Sequence, residues 1–213
     1  MEVCKIIISA IIAAVLNSVA HSAPVHNTPN TVELFLISVL PSRVTNATQE
    51  MKNVHQFITS SSYLEDTGLL LPNINGQGCT SSQQWKDKLP IAYKKMTVFR
   101  SPLYMAFSYE ENQGPTHSIL ADVLRDISVS VNATTKMLSS EMGKRSIPVP
   151  LVESVITEAD LNNYVRVFLQ ACVDKSIVTL SITDDVVKAY RNYVILQSLK
   201  SEINEASICV RGI

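Results

Sequence analysis

Glycine is scarce, at six in 213 residues. Hairpins and phosphate-binding loops place glycine where φ is positive, so this scarcity argues against an all-β chain or a dinucleotide-binding fold. Neither sign of charge is in excess. Eighteen basic and nineteen acidic residues leave a formal net charge of -1, without the basic surplus that marks nucleic-acid binders. No CxxC pair occurs, and no histidine has a His or Cys at ligand spacing, so neither a metal site nor a cofactor is expected. The motifs GxSxG, HExxH and GxGxxG are also missing, and no enzyme is expected. The stretch EMGKRS imitates the tail of a phosphate loop, but Leu138 stands where its first Gly belongs and Arg145 where Ser or Thr belongs. His26, His55 and His117 therefore read as surface or boundary side chains.

What is present is an ordinary globular composition, 46% hydrophobic and 17% charged. The N-terminus, MEVCKIIISAIIAAVLNSVAHSAPV, reads as a secretory signal: Lys5 is the positive start and Ile6 to Leu16 the apolar stretch. That stretch is about 11 residues long, short of the roughly 20 needed to span a bilayer. Residues 1–22 are expected to be removed and 23–213 to form one secreted, extracellular domain. Ala23 to Thr31 is a leader bearing Pro and Asn.

Apolar residues then recur at helical steps. Ile37, Leu40, Val44, Ala47, Met51, Val54 and Ile58 outline a first long helix, with Pro41 marking a kink or the start of its regular part. A loop, Leu69 to Gln84, holds Pro72, Gly76 and Gly78. A second helix is expected over about 86–112, with Ile91, Val98, Phe99, Met105, Ala106 and Tyr109 on one side, Pro90 in its first turn, and Pro102 at a kink or a restart capped by Ser101. After Gln113 to Thr116, a third helix carries Leu120, Leu124, Ile127, Val131 and Leu138, with Gly143 as its C-terminal cap.

Thr157 and Asp160 form the start of a further, shorter helix with Leu161, Tyr164, Val165, Phe168 and Cys172 on its apolar face. Ile177 to Thr183 is β-prone and reads as an extended linker. Thr183 then caps a last helix that runs on without Gly or Pro and buries Ala189, Tyr193, Leu196, Leu199, Ile203, Ala206 and Val210. The connections run long, short, long. The expected fold is all-α: a long-chain four-helix bundle, up-up-down-down, with an extra short helix in the last long connection.

Two sequons, Asn46-Ala47-Thr48 and Asn132-Ala133-Thr134, mark expected glycosylation sites. Asn46 is about 200° round its helix from Val44 and so should face solvent. Without Cys4, three cysteines remain. In that bundle topology the late first loop approaches the end of the last helix, which favours a Cys79–Cys209 disulfide with Cys172 free. Cys172–Cys209 is the alternative.

The segment Tyr193-Val194-Ile195-Leu196-Gln197-Ser198-Leu199 resembles the final-helix signature of the interleukin-6 family of helical cytokines. It is most similar to the branch of ciliary neurotrophic factor, cardiotrophin and cardiotrophin-like cytokine. Tyr63-Leu64 followed by Gly68 and Pro72 resembles the end of that family's first helix and its Pro-bearing loop. Glu110-Glu111-Asn112-Gln113 with Pro115-Thr116 resembles its turn between second and third helices. The resemblance implies a secreted monomer that bridges single-pass cell-surface cytokine receptors, including a shared signal-transducing subunit, and so switches on receptor-associated kinases.

It also implies three receptor-binding faces. One is the end of the first helix with the tail of the last, near Tyr63, Lys200 and Arg211. A second is the exposed side of the first and third helices. The third is the start of the last helix, around Val186, Lys188 and Ala189. The chain departs from the family there: Val186 and Ala189 stand where some members carry the Phe and Lys of a Phe-x-x-Lys motif. Glu202 and Glu205 replace the family's Trp and Arg. Receptor identity therefore does not carry over. Other bundle hormones, leptin-like or interleukin-12 subunit-like, share the expected fold. A secreted helical carrier of an apolar ligand is a reading from a different functional class.

Overall fold

A computed structural model describes residues 31–72, 78–80, 82–152 and 156–211, and over these residues the protein is all-helical. The expected signal sequence and nearly all of the leader lie outside the described residues. Among the described residues no helix is long and apolar enough to cross a membrane.

The first helix, α1 (residues 31–54), joins an α-helical Thr31–Leu34, a π-helical Phe35–Val39 and an α-helical Leu40–Val54. The π stretch answers to Pro41. Proline has no N–H to give and its ring crowds the carbonyl four residues back. A wider turn just ahead of it, in which the Leu40 N–H reaches the Phe35 carbonyl, lets the helix continue. The same turn shifts the phase of the buried stripe. Val32, Leu36, Leu40, Val44, Ala47 and Met51 are buried, while Ile37, expected inside, is 45% exposed.

A one-turn helix, α2 (Ser62–Asp66), follows. Next come α3 (Trp85–Thr97) and α4 (Arg100–Glu111), two pieces of the expected second helix. The break falls at Val98–Phe99, and Phe99 rather than Ser101 occupies the cap position of the restart. Pro102 then lies in the first turn of α4, where a missing N–H costs nothing. Pro90 sits within α3, beyond its first turn. The buried stripe is Leu89, Ala92, Met96, Phe99, Leu103 and Ala106, alternating steps of three and four. Ile91, Val98 and Met105, expected on the core side, flank it half-buried.

The third long helix, α5 (Ser118–Lys144), buries its expected stripe in full. Its end differs from the expected glycine cap. Gly143 lies inside the last turn, and Ser146 takes the left-handed conformation, at φ 56°. The Ile147 N–H closes on the Met142 carbonyl at 2.9 Å and the Ser146 N–H on Gly143 at 3.1 Å. The fourth, α6 (Glu158–Asp174), is a full 17-residue helix rather than a short one, capped as expected by Thr157 Oγ1 accepting from the Asp160 N–H. The last, α7 (Asp184–Val210), is capped by Thr183 in the same way.

Helix α7 is the centre of the molecule. It packs against α1, α3, α4 and α6, while α5 closes the core against α1, α3 and α4. Residues 189–196 of α7 are all buried. A helix buried on every side lacks the polar stripe of a surface helix, and α6 is what covers the side that a four-helix arrangement alone would leave open. The helix ends gather in two groups. The end of α1, the end of α4 and the start of α5 meet beside the first third of α7. Far along α7, Cys209 is bonded to Cys79 from the connection ahead of α3, with sulfurs 2.07 Å and Cα atoms 5.3 Å apart. The expected pairing is thus the one present, and Cys172 is free and buried on α6.

Candidate functional site

Of the residues expected to meet a partner, Tyr63 is the best defined. It projects from α2, 45% exposed, and its ring lies flat against Phe168 of α6. Phe168 stacks in turn on Tyr190 of α7, with ring centroids 5.9 Å apart. Two phenols hold α2 in this position: Tyr190 donates to the Leu64 carbonyl at 2.9 Å and Tyr193 to the Glu65 carbonyl at 2.7 Å. Lys52 of α1 pairs with the Glu65 carboxylate. An aromatic side chain anchored by stacking loses little conformational freedom when it binds, which suits it to be a contact anchor. Beside it lies a groove of about 230 Å³ lined by Glu65, Gly68, Leu69, Tyr190 and Tyr193.

At the start of α7, Val186 and Lys188 are half-buried. The Lys188 ammonium lies over the Tyr109 ring, 5.9 Å from its centroid, and the Tyr109 hydroxyl donates to the Asp185 carbonyl at 3.3 Å. Ala189 is 1% exposed and belongs to the core stripe, so it supports this surface from beneath. Lys200 and Arg211 are exposed. Arg211 does not join Tyr63 in one face as expected. Through Phe168, Tyr63 sits at the level of Tyr190, whereas Arg211 lies 21 positions further along the axis of α7, roughly 30 Å at 1.5 Å per residue. The resemblance implies a face shared by the end of the first helix and the tail of the last; the end of α1 lies beside the head of α7.

Asn46 is exposed on α1 as its helical position requires. Asn132 is half-buried on α5, its Oδ1 has no hydrogen-bond partner, and the Thr134 hydroxyl of the same sequon is buried against the Ser130 carbonyl.

Two buried polar groups were not anticipated. Lys95 of α3 donates from Nζ to Glu202 and Glu205 of α7, each at 2.6 Å. Burial alone would lower the Lys95 pKa, but both carboxylates outweigh it and hold the ammonium above its ordinary value. Burial also pushes the Glu202 carboxyl up, and Lys95 does not fully offset it. The second oxygen of Glu202 has no partner, which is where that desolvation goes uncompensated.

The other group centres on Glu110, whose side chain is fully buried at the end of α4. His55, the residue closing α1, places Nε2 3.1 Å from Oε1 and 3.2 Å from Oε2 of the carboxylate. His117, just before α5, places Nδ1 2.7 Å from Oε2. The imidazoles meet edge to face with centroids 5.2 Å apart. Asn192 of α7 donates to Oε1 at 2.9 Å, and its own oxygen accepts two bonds from the buried Arg191 guanidinium. Arg191 continues the chain to Glu158 and Asn162 of α6. Burial raises the Glu110 pKa, but the hydrogen bonds from His55, His117 and Asn192 outweigh it and hold the carboxyl below its ordinary value.

The sequence held a signal for this group. Glu110 occupies the next step of the stripe that runs through Phe99, Leu103 and Ala106, a position where an acid needs buried partners. Its partners lie on other helices, where spacing along the chain says nothing. Comparison with protein-family models, with curated proteins and with solved structures returns no match.

Proposed function

We propose that the chain is a secreted helical cytokine, a monomer that bridges single-pass receptors of the interleukin-6 family type, a shared signal-transducing subunit among them, and so activates receptor-associated kinases. Its fold on this reading is a long-chain four-helix bundle of α1, α3–α4, α5 and α7, with α6 added in the last connection. The observation that carries the reading is the meeting of His55, Glu110 and His117. Two helix ends and one helix start come together there, with the head of α7 alongside. Helices α1 and α3–α4 then run toward that end and α5 and α7 run away from it, the up-up-down-down order of the cytokine bundles. The disulfide from the first long connection to the tail of α7 follows from the same order.

Because α7 is buried through its middle, its receptor contacts are limited to its two ends. The first end carries Val186 and Lys188, with Lys188 against Tyr109 of α4, and Tyr63 is a separate contact on the α6 side. The other end carries Lys200 and Arg211. Binding of the purified protein to a panel of interleukin-6-family receptor ectodomains, followed by surface plasmon resonance, tests the reading. At least one ectodomain should bind, and charge reversal at Lys188 or Arg211 should weaken binding about tenfold without loss of helical circular dichroism. Well-folded protein that binds no member of the panel would overturn it.

A further inference from the structure

We infer that His55, Glu110 and His117 form a zinc-binding site that fastens three helix ends together. Nε2 of His55, Nδ1 of His117 and a carboxylate oxygen of Glu110 all lie within 4.8 Å of one another. Two imidazole nitrogens and one carboxylate oxygen are a ligand set that zinc takes, at about 2.0–2.2 Å from each atom. Ligands so placed round a tetrahedral ion are about 3.4 Å apart, and the Glu110 oxygens already lie 2.7–3.2 Å from both rings. To seat the ion, the Glu110 oxygens draw back from contacts of 2.7–3.2 Å to that spacing, and the two ring nitrogens, within 4.8 Å of each other, close toward it. A fourth position is left for water, because the His55 and His117 side chains are 11% and 18% exposed and the ion has an entry path from the rim.

The surroundings fit a metal site as well as the ligands do. Metal-ligating carboxylates are held by outer hydrogen bonds that fix their orientation. Asn192 does this for Glu110, and Arg191 fixes Asn192. On coordination each ring binds as the neutral imidazole. His55 then binds through Nε2 with its hydrogen on Nδ1, and His117 through Nδ1 with its hydrogen on Nε2; any proton displaced passes to solvent. The three hydrogen bonds to Glu110 from the rings are exchanged for three bonds to the ion. Hard cations prefer all-oxygen sites, so calcium and magnesium should not compete.

The test uses untagged, chelator-stripped full-length protein and zinc chloride, followed by calorimetric titration and thermal unfolding. One zinc ion should bind per chain. At a free zinc concentration 100 times Kd the unfolding equilibrium constant should fall about a hundredfold, seen as a rise in Tm. H55Q and H117Q should each weaken binding beyond the roughly 10–100-fold loss that outer-shell changes cause, while H26Q, a histidine outside the set, should bind as the parent does. Circular dichroism of H117Q, the more exposed ligand, shows whether the fold is kept. Cobalt in place of zinc should give the strong visible bands of a tetrahedral site in the unsubstituted protein, a readout independent of any variant. Folded protein that takes up no zinc, or binding that survives in both H55Q and H117Q or is lost in H26Q, would overturn the assignment.

Discussion

The ring of Tyr63 lies 6.3 Å from that of Phe168, with planes 6° from parallel, although the two residues belong to separate connections between the long helices. Phe168 is sandwiched between Tyr63 and Tyr190, so it couples an exposed ring to the core. Tyr63→Ala should cost less than about 1.5 kcal/mol of stability, the scale of one aromatic pair, yet weaken receptor binding by about 2 kcal/mol or more if it is an anchor. Phe168→Ala should lower stability by about 2 kcal/mol, below the range for fully buried rings. Urea unfolding and receptor titration on the two variants separate the effects.

Lys95 is the sole described ammonium within bonding distance of Glu202. Lys95→Met removes it and leaves a carboxylate buried without its partner, a change expected to cost about 3–5 kcal/mol. Adding Glu202→Leu should restore most of that, since replacing both members of a buried pair with apolar groups is close to neutral. A chemical-denaturation double-mutant cycle reads the coupling. Equal losses in the single and double variants would show that the pair does not act as a unit.

The Cys79–Cys209 bridge closes a loop of 130 residues. In the chain-entropy model such a bridge stabilises by about 5 kcal/mol. Cys79→Ser with Cys209→Ser should lose an amount of that order, while Cys172→Ala, which buries no hydroxyl, should lose less, because the Cys172 thiol takes no part in the bond. Thermal unfolding with and without reductant should then coincide for the double variant alone.

High pH should weaken the fold. Burial raises the pKa of Tyr190, Tyr193 and Tyr164 above the ordinary phenol value. An unfolded chain gives up these protons near pH 10 and the folded one later, so the unfolded state binds fewer protons above that point. The phenols' contribution is complete below pH 10 and is lost as the pH rises toward their folded pKa values. Urea midpoints between pH 7 and 11 should fall in the upper part of that range. Tyr190→Phe should show a shallower fall, because Tyr190 is the most deeply buried of the three.

The elements were legible where one helix decides its own pattern. The stripe of α5, the Thr157 and Thr183 caps and the uninterrupted run of α7 all follow from local spacing and local hydrogen bonds. Reading failed where a second segment intervenes. A constant helical period puts Ile37 inside, because the π turn ahead of Pro41 is invisible to it. Residue preference favours Gly143 as a cap, but the chain turns three residues later at Ser146. Arg191 and Asn192, polar residues in the middle of α7, are buried because Glu110 and α6 answer them. The same limit hid the histidine pair, since His55 and His117 are 62 positions apart and meet only through a carboxylate on a third helix.

The burial of α7 on every side has a consequence for biosynthesis. Every helix that α7 packs against precedes it in the chain. The ribosome delivers residues at about 5–20 per second, so the apolar stripes of α1, α3 and α4 emerge many seconds before the helix that covers them. Until then the nascent chain holds exposed apolar faces, and Cys79 has Cys172 as a partner within reach before Cys209 exists. Folding of the core therefore waits for α7, and the Cys79–Cys209 disulfide is made once α7 has emerged or by exchange after that.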